Sequence, residues 1–246
     1  MTDPTRPMLR TVAADSMSGK RSRSRWKIAL AVSIPMLGAG VFLHTSAGRA
    51  LLGASGGCPW GGKPPSAERI EDFRVKNAAQ LKANARAAAR PAFGFTLDKS
   101  TRADVTAWGE SVGARCTEEL GGAALRCEAG ERGIRSAGPR ADEPAVRDAF
   151  FRFDPKGVLV GVDLMRDGTD SAKAASVMTS ISAEIARDAG PPSNVRGAAS
   201  PSQLTGYLDR AATEFRFADY AADVSATNMG AQGVIVREQY RSIPNG

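Results

Sequence analysis

The pattern of apolar and polar positions divides the chain into one uncharged, largely apolar run near the N-terminus and a long amphipathic remainder. Residues 28–48 contain no formally charged side chain, and the most hydrophobic part lies between Ile28 and Leu43. Twenty-one residues in a helix, at ~1.5 Å each, cover the ~30 Å of a bilayer's hydrocarbon core. We therefore predict a transmembrane helix or signal anchor at 28–48.

The segment that follows the apolar run has the composition of a linker and then of a helix. Residues 53–65 are rich in glycine and proline, which favours irregular backbone. Ser66 is a suitable N-cap for a helix predicted to run to about Ala89, with a thin apolar stripe and many charged positions. We assign 49–92 as a linker and stalk helix.

Two helices are predicted in the remaining residues, 93–246. Val105, Trp108 and Val112 follow Thr101 at the i, i+3, i+7 spacing of one helix face. Further along, Met178 and Ile181 begin a second run with the same spacing, which ends before glycine and two prolines. Each helix is expected to bury one side against a sheet.

Alternating patterns predict strands after each of these helices. Residues 146–154 and 158–165 flank a proline- and glycine-containing turn, and residues 213–227 and 233–241 form a second predicted pair. Helix followed by strands therefore occurs twice. The predicted fold class is α+β, an antiparallel sheet packed by helices, with two helix-plus-strands repeats after an N-terminal transmembrane helix and a helical stalk.

This pattern resembles two groups of small secreted modules. The residues concerned are Ala189-Gly190-Pro191-Pro192 with Phe215-Arg216-Phe217, and Val112-Gly113 with Phe151-Arg152-Phe153. A helix, a Gly-Pro-Pro stop and a meander with an aromatic-X-aromatic motif resemble the periplasmic α+β modules of the SmpA/OmlA outer-membrane assembly lipoproteins. They are also similar to the repeat architecture of proteinaceous β-lactamase inhibitors. The resemblance implies a sheet face used for protein binding, and it brings no catalytic residues.

Charge adds a direction to the predicted membrane segment. Lys20, Arg21, Arg23, Arg25 and Lys27 immediately precede it, and residues 1–48 have a net charge of +5 out of +7 for the whole chain. Basic residues favour the cytoplasmic side of a membrane. We predict that 1–27 is a disordered cytoplasmic tail and that 93–246 is an extracytoplasmic domain. Because most of the excess charge lies in the tail, nucleic-acid binding is not expected.

Two alternatives for the N-terminal region stay open. Residues 45–47 are small enough for a signal-peptidase site, so that 28–48 would be removed. Cys58, after Ser55-Gly56-Gly57, also resembles a lipoprotein processing site at which the cysteine would be lipidated.

Two other cysteines predict a disulfide. Cys116 and Cys127 lie symmetrically about Gly121-Gly122, so a tight hairpin turn there would place them opposite one another. A two-residue turn would make them a hydrogen-bonded pair, with Cα atoms ~5.5 Å apart, unless the loop is longer. Two buried free thiols are the alternative. A disulfide would agree with an oxidising, extracytoplasmic location.

Few residues suggest catalysis or a cofactor. The single histidine, His44, lies in the predicted membrane segment, which removes histidine-based nucleophile and metal sites from the domain. Asp163, Asp167 and Asp170 could supply calcium ligands, but they lack the spacing of an EF-hand and are interpreted as a solvated turn that precedes a helix N-terminus. No glycine-rich phosphate loop is found, and we expect no cofactor and no metal site.

The sequence leads to one functional expectation and one alternative. We expect a single-pass, membrane-anchored extracytoplasmic binding or scaffolding module without catalytic activity. Residues 28–48 would contact the lipid bilayer, and the domain would bind a protein of the cell envelope. The alternative is a carboxylate-dependent envelope hydrolase that uses Asp219 and Asp223 as an acid/base pair.

Overall fold

A computed structural model describes residues 66–130, 133–134 and 143–244. The predicted membrane segment 28–48, the basic residues before it, His44 and Cys58 lie outside these residues. Within the described part of the chain, no helix is both long and apolar enough to cross a membrane.

The described residues form an α+β fold with a large antiparallel sheet, which confirms the predicted fold class at that level. The helices are α1 (Ala67–Ala79), α2 (Arg102–Ser111) and α3 (Ser171–Ala189). The strands are β1 (Pro91–Ala92), β2 (Phe95–Thr96), β3 (Arg115–Glu119), β4 (Ala124–Glu128), β5 (Val146–Phe153), β6 (Leu159–Arg166), β7 (Asn194–Arg196), β8 (Arg210–Arg216), β9 (Tyr220–Asn228) and β10 (Val234–Ser242).

Eight of the strands form one sheet, in the order β3-β4-β5-β6-β10-β9-β8-β7. The first four are a meander that follows α2, and the last four are a meander that follows α3. The two meanders meet where β6 pairs with β10, antiparallel, with Leu164 opposite Glu238. The described chain therefore contains helix followed by four strands twice.

Local signals define both long helices. Thr101 accepts a hydrogen bond from the backbone of Asp104, whose carboxylate in turn accepts from the backbone of Thr101, a complete capping box. Asp170 caps α3 by accepting from the backbone N–H of Lys173, at 2.8 Å. Both predicted helices are thus present with their predicted starts.

The predicted strand at 213–227 is wrong, because the chain turns in its middle. Phe217 donates its N–H to the carbonyl of Tyr220, and β8 and β9 then pair with each other. The segment after α1 holds this turn, since Ala218 donates to Ala85 O and Ala87 donates to Asp219 Oδ1. Within a helix the carbonyl of Ala85 and the N–H of Ala87 would be used in helical hydrogen bonds, whereas here they bind the turn. The helix that begins after Ser66 accordingly ends at Ala79 rather than near Ala89.

The main core lies between the sheet and α3. Val177, Met178, Ile181 and Ile185 are each at most 2% exposed and pack on β9 and β10. Burying such a side chain contributes about 1.5–3 kcal/mol, which makes α3 the principal apolar layer on the second meander.

A buried ion pair joins the two meanders on this same side. Arg166 of β6 is 1% exposed and donates from Nε to Glu238 Oε1 of β10 at 2.8 Å. Its Nη2 atom is 2.9 Å from Glu143 Oε2, and Tyr240 donates its hydroxyl to Glu238 Oε2 at 2.5 Å. Such a network is strongly destabilised when one partner is removed.

Candidate functional site

The two cysteines predicted to pair are at bonding distance. Cys116 and Cys127 are directly opposite in the β3–β4 register, and their Sγ atoms are 2.05 Å apart. The loop is longer than the predicted two residues, because strand pairing stops at Glu119 and Ala124. The Cα atoms are 4.0 Å apart, close to the ~4.5 Å of a non-hydrogen-bonded pair, which removes the geometric objection to a bridge.

The three aspartates considered for calcium have separate partners. Asp163 accepts from Arg237, Asp167 accepts from Arg147 at 3.0 Å, and Asp170 caps α3. Across the described residues, no group of three or more His, Cys, Asp or Glu side chains is arranged to hold a metal ion.

The two aspartates of the hydrolase alternative also have different environments. Asp219 is 8% exposed and accepts from the backbone of Ala87, whereas Asp223 accepts from Arg216 and Arg241. The two carboxylates are therefore engaged by different groups, and neither is a hydrogen-bond partner of the other. This geometry does not support a shared acid/base role.

One face of the sheet is left largely uncovered by the described residues, and we call it the open face. Its central members are the alternate side chains that point away from α3. They are Asp148, Phe150 and Arg152 of β5, Gly161, Asp163 and Met165 of β6, Ile235, Arg237, Gln239 and Arg241 of β10, and Ala221, Asp223, Ser225 and Thr227 of β9. Except for Gly161 and Ala221, all of these residues are half-buried or exposed.

Helix α1 covers one end of the open face. Ala78 is 3% exposed and packs against Ala221 and Ile243. Arg74 of the same helix donates to the carbonyl of Ser242 at 2.9 Å and to both oxygens of Glu71. The helix therefore borders the part of the open face that stays exposed.

Arginines and carboxylates alternate across the open face. Arg126 of β4 donates to both oxygens of Asp148, and Arg237 donates to both oxygens of Asp163. On the other side, Asp223 accepts from Arg216 and Arg241. We call these alternating arginines and carboxylates the ladder. Its pairs are partly exposed, and such pairs contribute little to stability, so the ladder mainly orients its side chains.

Arg152 is the exception within this ladder. It is half-buried, and no carboxylate of the described residues lies within ion-pair distance of it. Its guanidinium carbon lies 5.1 Å from the centre of the Phe150 ring, a cation–π contact. Burial lowers the pKa of Arg152, Asp163 raises it, and the nearby charges of Arg241 and Arg237 lower it further.

Arg152 also borders a cavity of about 380 Å³ between α1, the loop after β3 and the turn after β5. Other lining residues are Arg74, Arg102 and Lys156, with Glu71 and Asp154. Glu71 is bound to Arg74, and Asp154 accepts from the backbone N–H groups of Lys156 and Val158. The side chains that line this cavity therefore carry more positive than negative charge, and Arg152 lies at its border.

Arg152 was not identified as a functional residue from the sequence. Its position beside Phe150 and Phe151 in an alternating run indicates a strand residue that faces away from the core. Its lack of a carboxylate partner depends on which residues β6 and β10 place next to it, which sequence alone does not define.

Comparison with protein-family models gives no match, and neither curated proteins nor solved structures match the chain. The functional interpretation therefore depends on the geometry of the molecule itself.

Proposed function

We propose that this chain is a membrane-anchored, extracytoplasmic binding module whose open face recognises a protein of the cell envelope. The anchor is the uncharged segment 28–48, oriented by Lys20, Arg21, Arg23, Arg25 and Lys27. The module acts by binding and has no catalytic role.

The observation that supports this proposal most directly is the composition of the open face at its centre. Phe150, Met165 and Ile235 are half-buried there, surrounded by the arginines of the ladder. Aromatic residues, methionine and arginine are the types enriched in the cores of protein interfaces. Helix α1 covers only one end of this face, so the rest of it is available to a partner.

The cysteine pair supports the proposed location. Cys116 and Cys127 are in the geometry of a disulfide, and disulfides persist in oxidising compartments outside the cytoplasm. The basic cluster predicts the same side of the membrane for residues 93–246.

Site-specific photocrosslinking of the full-length chain in its native cells tests the proposal. A benzoylphenylalanine residue replaces Ser225, which is half-buried on the open face. The matched control position is Ser180, which is exposed on α3 on the opposite side of the sheet. We expect a protein adduct of one defined mass from position 225 and none from 180.

The same experiment reports the side of the membrane. Protease added outside intact spheroplasts should digest the adduct, since the module is placed outside the cytoplasm. Adducts from position 180 alone, or from neither position, would contradict recognition through the open face. An adduct protected from external protease would contradict the proposed orientation.

A further inference from the structure

We propose that Arg152, with Arg237 and Arg241 beside it, forms a carboxylate-recognition site that accepts a Glu or Asp side chain of the partner protein. This inference rests on the proposed function of the open face, and it names the chemistry by which that face is recognised.

The neighbouring carboxylates of the chain are already engaged by other groups. Asp163 accepts from Arg237 Nε at 2.9 Å and from Gln239 Nε2 at 2.8 Å. Asp223 accepts from Arg216 Nη2 at 2.5 Å and from Arg241 Nη1 at 3.2 Å. Neither has an ion pair with Arg152, so the five N–H groups of that guanidinium are left without a carboxylate among the described residues.

The protein backbone and the aromatic ring hold Arg152 in place. Its side chain passes over Gly161, where a Cβ atom would lie 3.7 Å from Arg152 Cβ and 3.9 Å from its Cδ. The guanidinium then contacts the face of Phe150. A cation that is already desolvated and oriented loses little further freedom when it binds an anion.

The charges nearby favour an anionic group at this point. Arg152 is opposite Gly161, which in turn is opposite Arg241, so two arginines flank one residue without a side chain. Burial lowers the pKa of Arg152 most, Asp163 raises it, and repulsion from Arg241 and Arg237 lowers it further; a bound carboxylate would offset that repulsion. Arginine also matches the planar carboxylate with two parallel hydrogen bonds.

A protein side chain fits this site better than an anionic membrane or a nucleic acid. The arginines of the open face alternate with Asp148, Asp163 and Asp223, so a uniformly negative surface would not match its pattern of charges. A protein partner can place a single carboxylate at Arg152 and other groups against the acidic positions. The adjoining cavity gives room for the side chain that bears the carboxylate.

The first measurement is a titration of the full-length chain labelled with ¹⁵N-arginine, observed through the Nε–H resonances. The probe is N-acetylglutamate N-methylamide, and its uncharged counterpart, N-acetylglutamine N-methylamide, is the control. We expect the Arg152 resonance to shift in a saturable way with the first compound, with a dissociation constant on the order of millimolar, and to stay unchanged with the second.

The second measurement uses two variants in the crosslinking experiment at position 225. Arg152→Met keeps the stem that covers Gly161 and removes the charge. Arg210→Met is the matched control, because Arg210 is an exposed arginine of β8 for which the described residues provide no ion pair. We expect the first to lower the adduct yield by about tenfold or more and the second by less than about twofold.

Several outcomes would overturn the inference. They include no saturable shift with the glutamate probe, an equal shift with the glutamine probe, or equal crosslinking by both variants. Inorganic phosphate that shifts Arg152 as strongly, together with Arg152-dependent binding to phosphatidylglycerol vesicles, would assign the site to lipid headgroups instead. A normal adduct in Arg152→Met refutes the carboxylate site alone, whereas absence of any adduct from the unaltered protein refutes the function of the face.

Discussion

The two halves of the sheet share one order of elements but are stabilised differently. In the first half, α2 followed by β3 to β6, the helix has ten residues and buries Val105 and Gly109. In the second half, α3 followed by β7 to β10, the helix has nineteen residues and buries seven. The second half therefore has much more apolar side-chain area between its helix and its strands.

The first half is stabilised by aromatic contacts and by the cysteine pair. Trp108 of α2 makes edge-to-face contacts with Phe93, Phe95 and Phe151 at centroid distances of 5.7, 5.8 and 5.4 Å. Each such contact contributes about 0.5–1.5 kcal/mol beyond the burial of area. The cysteine pair then links the edge strand β3 to β4 directly behind α2.

The difference shows how contacts other than helix burial can stabilise a half of the sheet that has only a short helix. Where helix burial is large, the hydrophobic effect contributes most of the stabilisation between helix and strands, at about 25 cal/mol per Å² of buried apolar surface. Where it is small, a covalent link constrains the unfolded chain and raises stability without further burial. Three sets of substitutions test this comparison. The first is at the pairing of β6 with β10, which we call the joint between the halves, and the other two are within the first half.

The largest effect is expected at the joint. Arg166→Met leaves the carboxylates of Glu238 and Glu143 without their shared cation in a buried position. The expected loss in free energy of unfolding is about 3–5 kcal/mol, since an unpaired buried charge is costly. Urea unfolding followed by circular dichroism measures it.

A double variant separates the charge from the packing at the joint. Arg166→Met combined with Glu238→Leu should recover only part of the loss, because both charges of the Arg166–Glu238 pair are gone but Glu143 still lacks Arg166 and the Tyr240 hydroxyl loses its acceptor Glu238. A single variant as stable as the unaltered protein would show that the pair does not hold the halves together.

A smaller and more local effect is expected from the cysteines. Replacing both Cys116 and Cys127 by alanine should reduce the free energy of unfolding by about 2–3 kcal/mol. Hydrogen exchange is expected to accelerate at the amides of β3 and β4 and to remain unchanged in α3 and β9, which locates the loss in the first half. Equal acceleration in both halves would contradict the comparison.

The smallest effect is expected at Gly109, and its sign is informative. In a helix interior, Gly→Ala ordinarily stabilises by about 1 kcal/mol. A Cβ atom at Gly109, however, would lie 2.6 Å from Cys116 Sγ. We expect Gly109→Ala to be destabilising by about 1–2 kcal/mol because this overlap exceeds the gain in helix propensity.

Two controls sharpen the prediction for Gly109. Glu110→Ala, at an exposed position of the same helix, should change stability by less than about 0.5 kcal/mol. In the protein that lacks both cysteines, Gly109→Ala should become neutral or stabilising, because the sulfur atom it meets is absent. Destabilisation that persists there would show that the helix does not contact the cysteine pair in this way.

The sequence by itself determined the features that depend on neighbouring residues. The cap at Thr101, the buried stripe of α3 and the pairing of Cys116 with Cys127 all follow from contacts within a few residues or one hairpin. Such contacts do not depend on the rest of the fold, so spacing and residue type are sufficient to predict them.

Tertiary structure decided the features that join distant parts of the chain. The turn between β8 and β9 depends on hydrogen bonds from residues near Ala85, more than a hundred positions earlier. That Arg152 has no ion pair among the described residues likewise depends on β10, which places Arg237 and Gln239 against Asp163. Strand order and register determine which side chains become neighbours. A local pattern of apolar and polar residues predicts which face of the sheet a side chain lies on, but not which side chain lies opposite it.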